Sequence, residues 1–162
     1  AVYASGRFTG LGSENVTITD TGSSGDGNGA VVADLNTLNG YTTGNVDASA
    51  ISFLEGTISA LNTAYAAGSA LGNGISGLGN ETVTIDDTAV TASDLNTLND
   101  NTTGNIVATT ATSFTGTISD LNTLYAAAAS SGNGVSGLGS EAVTVTDSSV
   151  SASDLNLSLI HI

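Results

Sequence analysis

The segment Thr117-Ile118-Ser119-Asp120-Leu121-Asn122 shows how the whole chain is organised, because close relatives of it recur at fixed intervals. Its Leu-Asn pair recurs at five equivalent positions of the repeat, beginning at Leu35, Leu61, Leu95, Leu121 and Leu155. Equivalent pairs lie 60 residues apart, but neighbouring pairs are separated alternately by 26 and 34 residues. A fixed internal period of this length is typical of stacked-repeat proteins. The sequence therefore predicts a repeat solenoid whose 60-residue unit consists of two unequal half-repeats.

Each half-repeat has the same local pattern before its Leu-Asn pair. Val83-Thr84-Ile85-Asp86 alternates apolar residues with Thr, which predicts a strand with one buried face, and a second short strand is expected at Ala89-Val90-Thr91. The Leu-Asn segments then read as short helices, of which the longest is expected from Ser119 to Ser130, with Gly132 just beyond it. Ser93 and Ser119 are candidate helix caps. The predicted fold class is α/β, with coils of strand, strand and short helix.

The predicted array is a single domain over residues 1–156, with coils joined near 34, 60, 94, 120 and 154. Adjacent strands lie about 4.8 Å apart and packed helices about 8–10 Å apart. We therefore expect both strands of a half-repeat in the same sheet, or a curved horseshoe, in preference to a triangular coil. The predicted core consists of apolar residues at equivalent positions: Leu35, Leu61, Leu95, Leu121, Val16, Ile18, Val46, Ile51, Val83, Ile85, Ile106 and Phe114.

The charge of the chain limits its partners. Arg7 is the only Lys or Arg against fifteen Asp and Glu, so the formal net charge is −14 at pH 7. Nucleic acid and anionic membrane surfaces are therefore not expected as partners, because both are bound through cationic side chains. Divalent cations remain candidates. The other interpretation is that self-repulsion of an acidic surface keeps a repetitive extracellular protein soluble.

Catalytic residue types are nearly absent from the sequence. The chain has no Cys, so it has no disulfide, thiol nucleophile or Cys-based metal site. Its one histidine is His161, in a segment that does not follow the repeat. The adjacent carboxylates Asp86 and Asp87 would point to opposite faces of a strand, so we interpret them as a strand end meeting a turn. The sequence predicts that this chain is not an enzyme.

A candidate metal site lies in an insertion at about residues 22–28. Val16 to Leu35 spans 19 positions where Val83 to Leu95 spans 12. The inserted segment resembles the alternating oxygen ligands of a calcium loop, although it lacks the bidentate carboxylate of such loops. Its candidate ligands are Asp20, Ser24, Asp26 and Asn28. The alternative is a flexible polar loop, and calcium is the one cofactor that the sequence suggests.

Pairs of threonines suggest a further hypothesis. Thr-x-Thr occurs at Thr17/Thr19, Thr82/Thr84 and Thr144/Thr146. Threonines stacked on a flat face can match a water lattice, which would make an ice-binding surface. The alternative is that Thr simply favours exposed positions in strands.

Both ends of the sequence depart from the repeat. Ala1-Val2-Tyr3-Ala4-Ser5-Gly6 aligns with the end of a helix at Ala64 to Gly68, so we expect a fragment whose helix begins earlier. Residues 157–162, Leu-Ser-Leu-Ile-His-Ile, resemble the translated read-through of a sequencing adapter. We expect these six residues to be a non-native tail.

The repeat itself resembles a known family. The segments Ser136 to Asp147 and Val150 to Asn156 are similar to repeats of very large bacterial cell-surface proteins, especially those of marine cyanobacteria, and the resemblance covers residues 1–156. It implies a secreted or surface-displayed array used in adhesion, motility or cell-envelope structure. The chain lacks the tandem Gly-Gly-x-Gly-x-Asp nonapeptides of the calcium-binding members of such proteins.

Two functions of different classes follow from these observations. The first is a structural and interaction region whose partners are neighbouring repeats of the same chain and a surface glycan or protein, without nucleic-acid binding or membrane insertion. The second is a calcium-dependent binding module. The first predicts an extracellular or cell-surface location, and a calcium titration followed by thermal melting would separate the two.

Overall fold

The chain is an α/β protein in which short strands alternate with short helices. The computed structural model describes residues 12–22, 30–68, 74–128 and 134–159. Within these ranges the helices are α1 (Val32–Tyr41), α2 (Ile58–Gly68), α3 (Ala92–Asn101), α4 (Ile118–Ala128) and α5 (Ala152–Leu159). The strands are β1 (Val16–Thr17), β2 (Ala30–Val31), β3 (Val46–Asp47), β4 (Phe53–Gly56), β5 (Ile75–Ser76), β6 (Thr82–Ile85), β7 (Ala89–Thr91), β8 (Ile106–Val107), β9 (Ser113–Gly116), β10 (Val135–Ser136) and β11 (Ala142–Val145).

The helices contain the predicted Leu-Asn segments, but the caps of α3 and α4 differ from the expected residues. The Thr91 hydroxyl accepts a hydrogen bond from the Asp94 N–H at 3.3 Å and caps α3. The Thr117 hydroxyl accepts one from the Asp120 N–H at 3.1 Å and caps α4. Ser93 and Ser119 are already helical, so the prediction that they are caps is wrong. The two helices begin earlier than the sequence indicated because a preceding Thr satisfies the first turn.

The half-repeats that end with α3 and α5, which we call the long half-repeats, contain a strand that the sequence pattern did not predict. β5 and β10 come from the Gly-rich connectors, in which Gly74-Ile75-Ser76 and Gly134-Val135-Ser136 place one buried apolar residue beside one exposed serine. Each of these strands has only two residues, which is too short for periodicity to detect. Among the described residues, the half-repeat that ends with α3 therefore has three strands before its helix, whereas those that end with α2 and α4 have two.

The strands form three sheets, and every neighbouring pair is parallel. Their orders are β1-β3-β5, then β10-β8-β6-β4-β2, then β11-β9-β7. Strand β6 pairs with a strand of each neighbouring half-repeat, because Val83 lies opposite Leu54 of β4 on one side and Ile106 of β8 on the other. Since β3 and β4 precede the same helix but belong to different sheets, the expectation that both strands of a half-repeat enter one sheet is wrong.

A tight corner explains why β3 and β4 separate. The Ser49 N–H donates to Asp47 Oδ1 at 3.0 Å, and the Ile51 N–H donates to the Ala48 carbonyl oxygen at 3.0 Å. Gly77 of the following half-repeat packs against this corner with a φ of 87°, and a Cβ there would lie 2.6 Å from the Ser49 nitrogen. The corner therefore turns the chain from one sheet to the next, and only glycine fits against it.

The core lies between the helices and the sheets. Successive helices pack against each other in sequence order, α1 on α2 through α4 on α5. The four predicted leucines are buried, as are the predicted strand residues from Val46 to Phe114. Val16 and Ile18 are only half-buried, because β1 is the edge strand of its sheet. Within the described residues no helix is long and apolar enough to span a membrane.

Candidate functional site

Only one of the four predicted metal ligands can be placed. Ser24, Asp26 and Asn28 lie outside the described residues. Asp20 is exposed, and its Oδ1 accepts a hydrogen bond from the Gly22 N–H at 3.1 Å. Across the described ranges no group of three or more His, Cys, Asp or Glu side chains is arranged to hold a metal ion.

The predicted stack of threonines is not formed. Thr17 lies opposite Asp47, and Thr84 lies opposite Glu55 and Val107, so neither has a threonine neighbour in its sheet. A different exposed row joins Thr144 to Thr115 and Thr115 to Thr91 across β11, β9 and β7. The sequence could not reveal this row, because Thr91, Thr115 and Thr144 belong to strands that do not occupy equivalent positions in the repeat.

The adjacent carboxylates Asp86 and Asp87 end β6, as the sequence suggested, and one of them serves the preceding half-repeat. Asp87 Oδ2 accepts a hydrogen bond from the Ile58 N–H at 2.7 Å, at the start of α2. Asp147 does the same for the Ile118 N–H of α4, also at 2.7 Å. A carboxylate at this position satisfies a free helical N–H and complements the helix dipole. Helices of the short half-repeats are thus capped by the half-repeat that follows.

The asparagines of the first four of these Leu-Asn pairs also bond to the following half-repeat. Each side-chain Nδ2 donates to the carbonyl oxygen of the third residue of the next helix. The four bonds are Asn36 to Ala60 at 2.8 Å, Asn62 to Asp94 at 3.1 Å, Asn96 to Asp120 at 2.9 Å and Asn122 to Asp154 at 3.3 Å. The leucine therefore faces the core while its neighbour links two helices, which explains why the pair recurs as a unit.

A buried carboxylate lies at the turn before β6. Glu81 is only 1% exposed, and its Oε1 accepts the Gly79 N–H at 2.7 Å. The Tyr65 hydroxyl donates to its Oε2 at 2.7 Å. Burial raises the pKa of Tyr65, and the Glu81 carboxylate raises it further. Because a buried charge must be hydrogen-bonded, this carboxylate fixes the end of α2 against the turn.

A Thr-Thr-Gly-Asn loop of the next half-repeat packs against that turn. The Thr103 N–H and hydroxyl both donate to the Gly79 carbonyl oxygen, at 2.8 and 3.0 Å. Against the larger effects of burial and of Glu81, the Thr102 side chain lowers the pKa of Tyr65. A Cβ added to Gly104 would overlap the Glu81 carbonyl oxygen, so this position accepts only glycine.

The first unit contains the same interface. The Thr42 hydroxyl donates to the Glu14 carbonyl oxygen at 2.7 Å, and the Thr43 N–H donates to the Gly12 carbonyl oxygen at 2.7 Å. The Gly12 N–H donates to Glu14 Oε2 at 2.7 Å. A Cβ at Gly44 would overlap the Glu14 carbonyl oxygen, as at Gly104.

The third copy of the turn has no such loop against it in the part of the chain that the structure describes. Glu141 is 8% exposed, and its Oε1 and Oε2 each accept the Gly139 N–H at 2.9 Å. The buried Tyr125 hydroxyl has no hydrogen-bond partner among the described residues. Burial, and then the nearby Glu141 charge, raise the pKa of Tyr125 to about 12, although the two groups do not meet hydrogen-bonding geometry.

Two grooves lie between neighbouring helices near their N-termini. The smaller, of about 140 Å³, lies between α2 and α3 and includes Asp87 and Asp94 in its lining. The larger, of about 510 Å³, lies between α4 and α5 and includes Asp154. These carboxylates already accept bonds: Asp87 caps α2, Asp94 accepts the Thr91 hydroxyl at 2.5 Å, and Asp154 accepts the Ser151 hydroxyl at 2.6 Å. The carboxylates that line the grooves therefore stabilise the first turns of the neighbouring helices.

The chain matches no protein-family model, no curated protein and no solved structure. The most regular polar contacts in the described residues are those between successive half-repeats. The sequence contained their signal, because Gly-Leu-Gly-x-Glu and Thr-Thr-Gly-Asn each recur, but nothing local indicates that one segment packs against the other.

Proposed function

We propose that this chain is a solenoid segment with a structural and interaction role in a large secreted or surface-displayed bacterial protein. Its function is to extend the array by stacking half-repeats, with neighbouring repeats as its first partners and a surface glycan or protein as the partner of its outer face. The observation that carries this proposal is the ladder of asparagine side chains, each of which bonds to the next helix.

The direction of these bonds supports a role in extension. The asparagines, the Thr-Thr-Gly-Asn loops and the capping Asp87 and Asp147 all bond across the boundary between half-repeats. When most specific contacts join neighbours, stability is approximately a sum of repeat and nearest-neighbour terms, and the array can be lengthened without redesign. An enzyme would instead need its polar groups to converge on one cavity.

The acidic surface is compatible with display outside the cell. The formal net charge of −14 opposes self-association of long arrays, which would otherwise expose many strand edges to one another. We propose the surface location from the resemblance of the repeat to those of giant bacterial surface proteins. Calcium binding is not advanced as a second function, because no described contact favours it.

The test is to lengthen the array by one unit in register. A second copy of residues 61–120 is inserted between Asp120 and Leu121, which preserves every Leu-Asn spacing. We expect small-angle scattering to show the longest dimension growing by roughly 16–20 Å, the thickness of two packed helices. We also expect the melting temperature to rise, because one more set of neighbour contacts is added.

A control chain receives the same 60 residues in scrambled order. It has the same length and charge, so an array-specific effect must be absent from it. An inserted native unit that leaves the longest dimension unchanged, or that melts as a separate domain, would refute the stacking role.

A further inference from the structure

The turn at Gly139 and Glu141, together with the free edge of β11, forms a surface that we call the Glu141 edge. We propose that the Glu141 edge binds one further half-repeat of this chain's own kind, through a Thr-Thr-Gly-Asn loop and the short strand that follows it. This inference rests on the proposed function, because it names the site and the chemistry by which the array is extended.

The first argument is that the interface already occurs twice. The loop at Thr102–Asn105 packs on the turn at Gly79 and Glu81, and the loop at Thr42–Asn45 packs on the turn at Gly12 and Glu14. The turn at Gly139 and Glu141 has the same sequence pattern and the same internal bond from a Gly N–H to the carboxylate. Among the described segments, no Thr-Thr-Gly-Asn loop lies against it.

The second argument is the open edge of β11. Its equivalent β6 has neighbours on both sides, and the Val83 N–H donates to the Asn105 carbonyl oxygen at 2.9 Å. Among the described strands, β11 pairs only with β9, toward which the Ala142 N–H donates to the Thr112 carbonyl oxygen at 3.0 Å. The Val143 N–H, equivalent to that of Val83, therefore points to the open side. Exposed edges of this kind are templates for an added parallel strand.

The third argument is the unsatisfied Tyr125 hydroxyl. In the interior copy, the Tyr65 hydroxyl donates to Glu81 Oε2 at 2.7 Å, and the Thr102 side chain of the next half-repeat is close enough to lower the pKa of Tyr65. Tyr125 is even more buried than Tyr65, but its hydroxyl has no hydrogen-bond partner among the described residues. A buried hydroxyl without a partner is costly, and a threonine in the position of Thr102 would satisfy it.

The same geometry defines what the occupant must contain. The third residue of its loop must be glycine, since a Cβ at Gly44 or Gly104 would overlap the carbonyl oxygen of the glutamate below. The residue before that glycine must donate twice to a carbonyl oxygen, as Thr43 and Thr103 do. Apolar strands of other proteins can pair with the edge but cannot meet both requirements.

The experiment replaces residues 157–162 with a copy of residues 97–128, so that α5 is followed by a native loop, strand pair and helix. Amide hydrogen exchange is then measured by NMR on the whole extended chain. We expect exchange at Val143 to slow by at least about tenfold, since its N–H gains a partner in a stable ladder. We also expect the Tyr125 hydroxyl proton to become observable.

The matched control is the same extended chain with Gly104→Ala in the added copy alone. The original repeats keep their sequence, so slow amide exchange at Val83 would show that they remain folded. Val143 should then exchange as fast as in the original chain. Equal protection of Val143 in both extended chains would overturn the proposal, as would no protection in either. If the inserted copy of residues 61–120 lengthens the array while Val143 stays unprotected in the extended chain, the result refutes binding at the Glu141 edge but not the proposed function.

Discussion

The interior turn at Glu81 and the terminal turn at Glu141 have nearly the same sequence but different surroundings. Val83 and Ile85 beside Glu81 are fully buried, whereas Val143 and Val145 beside Glu141 are only half-buried. The leucines that follow differ more, since Leu95 is 0% exposed and Leu155 is 41% exposed. The difference shows that a half-repeat does not complete its own core. The next half-repeat supplies the missing wall, the second strand partner and the last hydrogen bonds.

The largest expected contrast is between Leu95→Ala and Leu155→Ala. Leu95→Ala should lower the free energy of unfolding by about 2–5 kcal/mol, because it leaves a cavity among packed neighbours. Leu155→Ala should cost less than about 0.5 kcal/mol, as is usual for an exposed position. Urea unfolding of both variants measures the difference. Similar costs at the two sites would mean that the two turns are equivalent after all.

The tyrosines give a smaller contrast of the same kind. Tyr65→Phe removes the donor to Glu81 Oε2 and leaves a buried carboxylate with one bond fewer, which should cost about 1–3 kcal/mol. Tyr125→Phe removes a hydroxyl that has no partner among the described residues, so its cost should be close to zero. The same urea titration compares them. A cost for Tyr125→Phe that equals that for Tyr65→Phe would show that Glu141 depends on this hydroxyl too.

Alkaline pH should reveal the same tyrosines. The pKa of Tyr125 is raised from 10.0 to about 12 by burial and by Glu141, so the folded chain holds a proton that the unfolded chain releases. Stability is therefore fully present below pH 10 and declines as pH rises from 10 toward 12. Unfolding free energies measured across this range should fall more gently in Tyr125→Phe, while the two chains respond alike to pH below 9. An identical alkaline slope would contradict the assignment.

The smallest expected effect concerns the insertion, which distinguishes the first long half-repeat from the second. Asp20 already accepts a bond from the Gly22 N–H, and the segment lacks a bidentate carboxylate. We expect calcium to change the melting temperature no more than magnesium does, because both ions then only screen surface charge. Asp26→Asn provides the matched variant. A calcium-specific rise that Asp26→Asn abolishes would favour the calcium-dependent binding module instead.

Much of the local structure could be predicted because it depends on neighbouring residues in the chain. The alternation at Val83 to Asp86 predicted β6, and the Leu-Asn segment at Leu121 predicted α4. The two-residue strands β5 and β10 escaped prediction because they have no period of their own. Ser93 was a reasonable cap by residue type, but Thr91 precedes it and captures the first turn.

The sequence by itself determined the 60-residue period, the positions of the helices and the burial of the four predicted leucines Leu35, Leu61, Leu95 and Leu121, since all three follow from residue type and spacing. Only the tertiary structure decided which strands share a sheet, because short parallel strands take their register from corners such as the one where Gly77 meets Ser49. It also decided that Glu81 is buried. A glutamate is expected at the surface from its residue type, and it becomes a core residue here because Tyr65 and the next half-repeat close over it.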